Sequence, residues 1–261
     1  MLDTFIEQDT LVNAFLAILS GAFIGSVLGF VGAGGALVSV PILLYIFHFT
    51  PTQATTAALA IVLLAALSGA IPKMRIHHVL YREVFSIWSL GLITNFGGAE
   101  LSKHFPSSFI TTGFAVVLLT AGSATLRGPI KPDAEKRMSV GVLILISLII
   151  GALAGVFGVG GGFLMIPMLV LFYNTPQNKA AGTSLLIISI NSMTSFLGHH
   201  AVWHEVKWGI PIGIGTVAMV VSMIASHNTS RVPVLLLRKA FAYLLFALAI
   251  FTFAKTWIFH A

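Results

Sequence analysis

The chain has 261 residues, 57% hydrophobic and only 8% charged, and its mean hydropathy is +0.99. Soluble domains run at about 45–50% apolar and about 25% charged residues, so a soluble globular protein, a disordered chain and a nucleic-acid binder are excluded. The formal charge of +6 comes from 14 Lys and Arg against 8 Asp and Glu, and the absence of cysteine removes disulfides, thiolate metal sites and a cysteine nucleophile.

A spanning helix takes about 20 apolar residues, so roughly eight to ten spans would fill the chain. The N-terminus carries Asp3, Glu7 and Asp9 with no Lys or Arg. That is the opposite of a signal peptide's basic leader, and the first apolar stretch is expected to be a retained helix. Apolar runs follow at about 11–31, 36–49, 54–71, 84–101 and 108–126. The one strongly polar stretch, Arg127 to Arg137 (RGPIKPDAEKR), has two prolines and six charges. Five more runs lie at about 138–157, 162–173, 182–198, 208–226 and 233–256. The second and seventh are too short to cross a bilayer straight, so they read as half-helices, either crossing in extended form or re-entrant.

The two halves repeat. Gly25, Gly29, Gly32, Gly34, Gly35 and Pro41 recur 126 residues later as Gly151, Gly155, Gly158, Gly160, Gly161 and Pro167, and Thr50-Pro51 recurs as Thr175-Pro176. Lys and Arg stay on the cytoplasmic side. With the N-terminus outside and five crossings per half, Lys73, Arg75, Arg82, Arg127, Lys131, Lys136, Arg137, Lys179, Arg231, Arg238 and Lys239 fall inside. Only Lys103, Lys207 and Lys255 fall outside. An odd number of crossings inverts the second half relative to the first, as in secondary transporters whose site lies at the midplane between repeats. The expected fold is an all-α polytopic membrane protein of two inverted five-segment repeats with Gly-broken or half-length second helices. Residues 1–127 form the first repeat, 128–137 a cytoplasmic basic linker and 138–261 the second repeat.

Phe23 to Pro41 (FIGSVLGFVGAGGALVSVP) and Leu153 to Pro167 (LAGVFGVGGGFLMIP) each resemble the repeat signature of the sulfite exporter TauE/SafE family. Lys179 to Leu185 (KAAGTSL) is similar to that family's A-x-G-T-S-L segment, from which the first copy, Ala54 to Leu59 (ATTAAL), departs. The resemblance covers almost the whole chain. It implies a transporter, exporter or permease, of sulfite, an organosulfonate or a related small organic anion in a bacterial cell membrane.

Within hydrocarbon, non-helical backbone is tolerated only where it is buried in protein or lines a wet cavity. Gly32, Gly34 and Gly35, and Gly158, Gly160, Gly161 and Gly162, are the expected breaks. The next half-helix offers free N–H groups and partial positive charge to an anion. A chain this poor in charge is expected to hold an anion on such amides, without buried cations. Gly25, Gly29, Gly151 and Gly155 read instead as close-packing positions.

Thr50-Pro51 and Thr175-Pro176 read as N-cap and first helical residue. Beyond them lie Gln53, Thr55 and Thr56 in the first half and Asn178, Thr183 and Ser184 in the second. Their hydroxyls and amides suit either a sulfonate oxygen or their own helix backbone. Run eight adds Ser189, Asn191, Ser192, Thr194 and Ser195, of which Asn191 is the most informative, its amide suited either to another helix or to the substrate, with Asn95 as its parallel in run four. Glu100 reads as an interfacial partner of Lys103 or as a proton-coupling carboxylate. In HHAVWHE, His200 and His204 are spaced i, i+4 and would share a helix face, as a metal pair does, but they sit beside Trp203 and Trp208 at an expected interface.

No Walker loop or G-x-S-x-G elbow is present, so no enzyme activity and no cofactor are expected, and transport is passive or gradient-driven. The expected partners are a small anion, the lipid bilayer, a proton or sodium gradient and a second copy of the chain in a homodimer. The rival functions are an anion channel of the same fold and a membrane metalloenzyme built on HHAVWHE.

Overall fold

The computed structural model describes residues 2–102, 104–127, 140–157 and 177–257. Within them the chain forms helices α1 (Leu2–Ser26), α2 (Gly35–Tyr45), α3 (Pro51–Arg75), α4 (Tyr81–Ser102) and α5 (Ser107–Arg127). These are followed by α6 (Val140–Phe157), α7 (Gln177–Gly198), α8 (Gly209–His227) and α9 (Val234–Trp257). Short 3-10 turns span His200–Glu205 and Thr229–Arg231, and no strand occurs among the described residues. The acidic N-terminal residues, which the apolar runs leave out, are already helical.

Local chemistry sets the ends of these helices. After α1 the backbone widens into a π-helical turn, Val27–Val31, which stops where Gly32 donates its N–H to Leu28 O at 2.7 Å. The following half-helix α2 has eleven residues. At 1.5 Å per residue it covers about 16 Å, half of a hydrocarbon core of about 30 Å. Helix α3 starts with the expected cap: Gln53 N–H donates to Thr50 Oγ1 (3.4 Å), Thr50 N–H donates to Gln53 Oε1 (3.3 Å), and Pro51 takes the first helical position. It ends in a two-bond turn, with His78 N–H on Lys73 O (2.9 Å) and His77 N–H on Met74 O (3.1 Å). His77 occupies the left-handed position there, at φ +55°, which glycine usually takes.

Contacts between helices fix their directions. Gln53 Nε2 donates to Glu205 O at 3.0 Å, and Leu80 N–H donates to Thr183 Oγ1 at 3.0 Å, so α3 and α7 run antiparallel. Trp257 Nε1 donates to Thr112 Oγ1, whereas Arg238 reaches Thr125 O, so α5 and α9 are antiparallel too. Glycines set two close parallel pairs. A Cβ on Gly21, Gly25 or Gly29 would lie 2.6, 2.6 or 2.5 Å from the carbonyls of Ile214, Ala218 and Ser222, which presses α1 onto α8. Gly151 abuts Gly91 and Thr94, and a Cβ on Gly98 would lie 2.5 Å from Ala152 O, which presses α6 onto α4. Gly25, Gly29 and Gly151 therefore have the packing role expected of them.

Two cores result. Alanines of α3 (Ala54, Ala57, Ala58, Ala65, Ala66, Ala70) pack with Ile24, Leu28, Leu43, Leu185 and Ile214. Val84, Ile87, Leu118, Ile150, Phe241 and Leu245 join α4, α5, α6 and α9. Outside these cores large apolar side chains face outward, among them Leu11, Phe15, Ile93, Phe109 and Tyr243. Among the described residues six helices are long and apolar enough to cross a membrane: Leu11–Val31, Pro51–Arg75, Ser108–Arg127, Lys179–Gly198, Gly209–His227 and Val234–Trp257. The protein is an all-α polytopic membrane protein.

Candidate functional site

The helix break falls where the glycines place it, but the three residues differ. Gly32 and Gly34 have φ +82° and +88°, a region open to glycine without steric cost. Gly35 begins α2, and a Cβ there would meet the Leu28 side chain. The helical ladder of α2 starts with Val38 N–H on Gly34 O at 3.3 Å. The amides of Gly35, Ala36 and Leu37 therefore precede it, as the first amides of a helix do. Ser39 Oγ donates to Gly35 O at 2.7 Å and braces this turn.

Gly32 presses on the start of α7, since a Cβ there would lie 2.7 Å from Ala181 Cα. The break and the KAAGTSL stretch, far apart in sequence, thus form one buried contact. Ala180, Ala181, Thr183 and Ser184 are all buried. Thr183 Oγ1 donates to Lys179 O (2.8 Å) and accepts from Leu80 N–H, so one hydroxyl ties α7 to the loop after α3. The neighbouring Gly182 abuts His78 O, and a Cβ on it would stand 2.9 Å from Lys73 Cβ.

Other hydroxyls spend their proton on their own helix. Thr55 donates to Pro51 O, Ser189 to Leu186 O and Thr194 to Ile190 O. Thr56 Oγ1 lies 2.8 Å from Thr52 O and 3.0 Å from His199 Nδ1. Thr55, Thr56 and His199 sit at the far end of α3 from Lys73, apart from the break. Asn191 and Asn95 are half-buried with no hydrogen-bond partner among the described residues. Glu100 is exposed near the end of α4, and its carbonyl lies 3.3 Å from His104 Nδ1. Gly158, Gly160, Gly161, Gly162 and Thr175-Pro176 lie outside the described residues, as does the side chain of Asn178.

Two expectations need correction. His200 and His204 do not share an α-helical face, because α7 ends at Gly198 and His200–Glu205 is a 3-10 turn. With three residues per turn, i and i+3 align and i+4 does not. Among the described residues no three His, Asp or Glu side chains converge on a metal-sized site. The second correction concerns buried cations. Lys73, assigned to a loop from its charge, is only 2% exposed. Its ammonium makes no hydrogen bond or ion pair among the described residues. His78, whose N–H closes the turn onto Lys73 O, has a buried Nδ1 without a partner among the described residues. Its pKa is lowered, by burial first and then by the charges of Lys73 and Lys179. Nothing local in the sequence marks these residues; the signal is their distance-bridging partner, Gly182, inside the KAAGTSL stretch.

Comparison with known proteins agrees with this architecture. The family model described as sulfite exporter TauE/SafE matches residues 17–252. A "Probable membrane transporter protein" of Xylella fastidiosa is 26% identical over 264 residues, covering 95% of this chain and 98% of its own length. The "Probable membrane transporter protein YunE" of Bacillus subtilis is 28% identical, covering 74% of this chain and 80% of its own. A Haemophilus influenzae protein of the same description is 24% identical over 92% of this chain and 98% of its own. No solved structure matches. With more than half the chain inside the family model, and relatives of this length named as transporters, the protein belongs to the sulfite exporter TauE/SafE family and is a membrane transporter.

Proposed function

We propose that the protein is a secondary transporter of a small oxyanion, sulfite, an organosulfonate or a related organic acid, working by alternating access. The observation that carries this reading is the buried junction of the Gly32–Gly34 break with Ala181. It brings the break that heads α2 against the buried start of α7, the stretch that carries Thr183 and Ser184, and amides at a helix start suit an anion. Sulfite is the substrate that the family description names.

An inverted pair of repeats is supported by helix direction. The pairs α1–α8 and α4–α6 are both parallel and glycine-packed. The loop between α3 and α4 meets the start of α7, whereas Lys255 at the end of α9 meets Tyr45 at the end of α2. On these contacts α1 starts at the end of the bundle that holds Lys207 and Lys255, and α6 starts at the end that holds Lys73, Arg82 and Lys179. The positive-inside bias assigns the latter end to the cytoplasm. Rocking of one repeat against the other would then expose the junction to each side in turn, driven by a proton or sodium gradient.

The test is flux in proteoliposomes loaded in turn with sulfite, sulfoacetate, taurine and acetate. The reading predicts saturable movement of at least one of them under an imposed proton or sodium gradient. Failure to move any of them under any gradient overturns it.

A further inference from the structure

A lysine buried to 2% exposure, with no partner for its ammonium among the described residues, calls for explanation. An unpaired charge away from water is costly, and buried charges in folded proteins are normally paired. Lys73 nevertheless has no described carboxylate or acceptor at its ammonium. Its surroundings add a second lysine and a buried imidazole nitrogen. The turn that ends α3 brings His78 directly over it, through His78 N–H on Lys73 O. His78 Nδ1 is buried and lacks a partner of its own. Lys179 approaches from the first turn of α7, close enough that its charge, like that of Lys73, acts on His78. The glycine at 182 removes the side chain that would otherwise separate Lys73 from His78 O. Thr183, one residue on, ties this loop to α7 through Leu80 N–H, and Ala181, one residue back, carries the helix break of Gly32.

Lys73, the imidazole of His78 and a second lysine therefore gather where α3 ends and α7 begins, and among the described residues no carboxylate pairs with Lys73. A cation would be repelled, and a neutral ligand would leave the Lys73 charge unmet. A small oxyanion meets both needs, since its oxygens accept from an ammonium and an imidazole N–H at once.

We infer that Lys73 and His78, with Lys179 at the rim, form a binding subsite for a small oxyanion at the end of the pathway where α3 stops and α7 begins. The ligand class rests on the transporter reading above; the site itself rests on the buried, unmatched lysine. An anion held here would give the pathway a station between bulk water and the amides of the Gly32–Gly34 break.

The experiment uses the purified full chain and measures binding of sulfite, methanesulfonate and acetate by titration calorimetry and by thermal shift. Lys73→Gln keeps the length of the side chain and removes the charge. It is expected to weaken binding of the preferred anion by about tenfold to a hundredfold. The ligand-free protein should melt no lower, because an uncompensated buried charge has gone. A lysine with a merely structural role would give the opposite pair of results. His78→Gln, at a half-buried position, is expected to weaken the same anion by a smaller factor without unfolding the protein. Anion affinity within twofold of wild type in both variants, while wild type binds and transports, overturns the subsite and leaves the transporter reading standing. Absence of binding by wild type to all three anions overturns the subsite, and absence of flux as well overturns both.

Discussion

Replacing Gly32 by alanine imposes two penalties at one position. An L-residue held near φ +82° costs about 1–2 kcal/mol. The new methyl group would stand 2.7 Å from both Ala181 Cα and Ala181 Cβ, and 2.8 Å from Ala181 O. These are atoms of a helix backbone and a side chain with no freedom to turn aside, so α7 must move. Overpacking of this kind costs about 1–3 kcal/mol, and the total is about 2–5 kcal/mol. The neighbouring glycines separate the two terms. Gly34 has φ +88°, but its nearest neighbours would be 3.5 Å from a methyl group, so Gly34→Ala should cost the conformational term alone, about 1–2 kcal/mol. Gly35 has no positive φ, and its methyl would stand 2.6–2.9 Å from the γ and δ carbons of the fully buried Leu28, so Gly35→Ala should cost the overpacking term alone, about 1–3 kcal/mol. Unfolding of the three purified variants in mild detergent should therefore rank Gly32→Ala, which carries both terms, as the most damaging. Proteoliposome flux should fail first in Gly32→Ala, where the junction between the break and α7 is forced apart. If Gly32→Ala proves no less stable than Gly34→Ala, the contact with Ala181 does not set the geometry of the break, and the reasoning is refuted.

Three further expectations follow from the same junction. Gly182→Ala would drive a methyl group into His78 O and to 2.9 Å from Lys73 Cβ; a loss of about 1–3 kcal/mol and faster proteolysis between α3 and α4 would report displacement of that loop. Thr183→Val keeps shape but leaves Leu80 N–H without its acceptor, which should cost about 1–3 kcal/mol, whereas Thr183→Ser should stay close to wild type in the same unfolding assay. His78 has a pKa lowered from 6.5 by burial, Lys73 and Lys179, so the folded state favours its neutral form. Its contribution to stability is complete above about pH 6.5 and is lost as the pH falls below that value. The melting temperature of wild type should then fall more steeply between neutral and mildly acid pH than that of His78→Gln. Parallel curves would contradict this.

Much of the fold is legible in the residues. Apolar runs mark the helices because a spanning segment must be apolar along its length. Thr50-Pro51 marks a helix start because a threonine cap and a proline at the first helical position suit unpaired backbone groups, and the structure adds Gln53 to close a capping box there. Gly25, Gly29 and Gly151 mark close helix pairs because only hydrogen fits at their contacts. What stays hidden is what depends on contacts distant in sequence or on how a helix ends. Lys73 sits among Arg75, His77 and His78 and reads as a solvated loop. Its burial depends on a turn that folds this loop onto Thr183, 103 residues beyond Leu80. His200 and His204 read as an α-helical pair because their spacing presumes 3.6 residues per turn, yet α7 has already ended at Gly198. For Thr55, Ser189 and Thr194 the choice between substrate and backbone is invisible in the sequence, since the same hydroxyl serves either; here each donates to its own helix.

The central claim, that a small oxyanion is carried by alternating access past the Gly32–Ala181 junction, is tested most directly by counterflow. Proteoliposomes filled with unlabelled sulfite are diluted into a trace of labelled sulfite, and label uptake is followed against sulfite concentration on each side. The account predicts transient accumulation of label above its outside concentration, saturating with substrate and abolished in Gly32→Ala. Uptake that never exceeds equilibrium and rises linearly with concentration would instead mark an open channel and contradict the account.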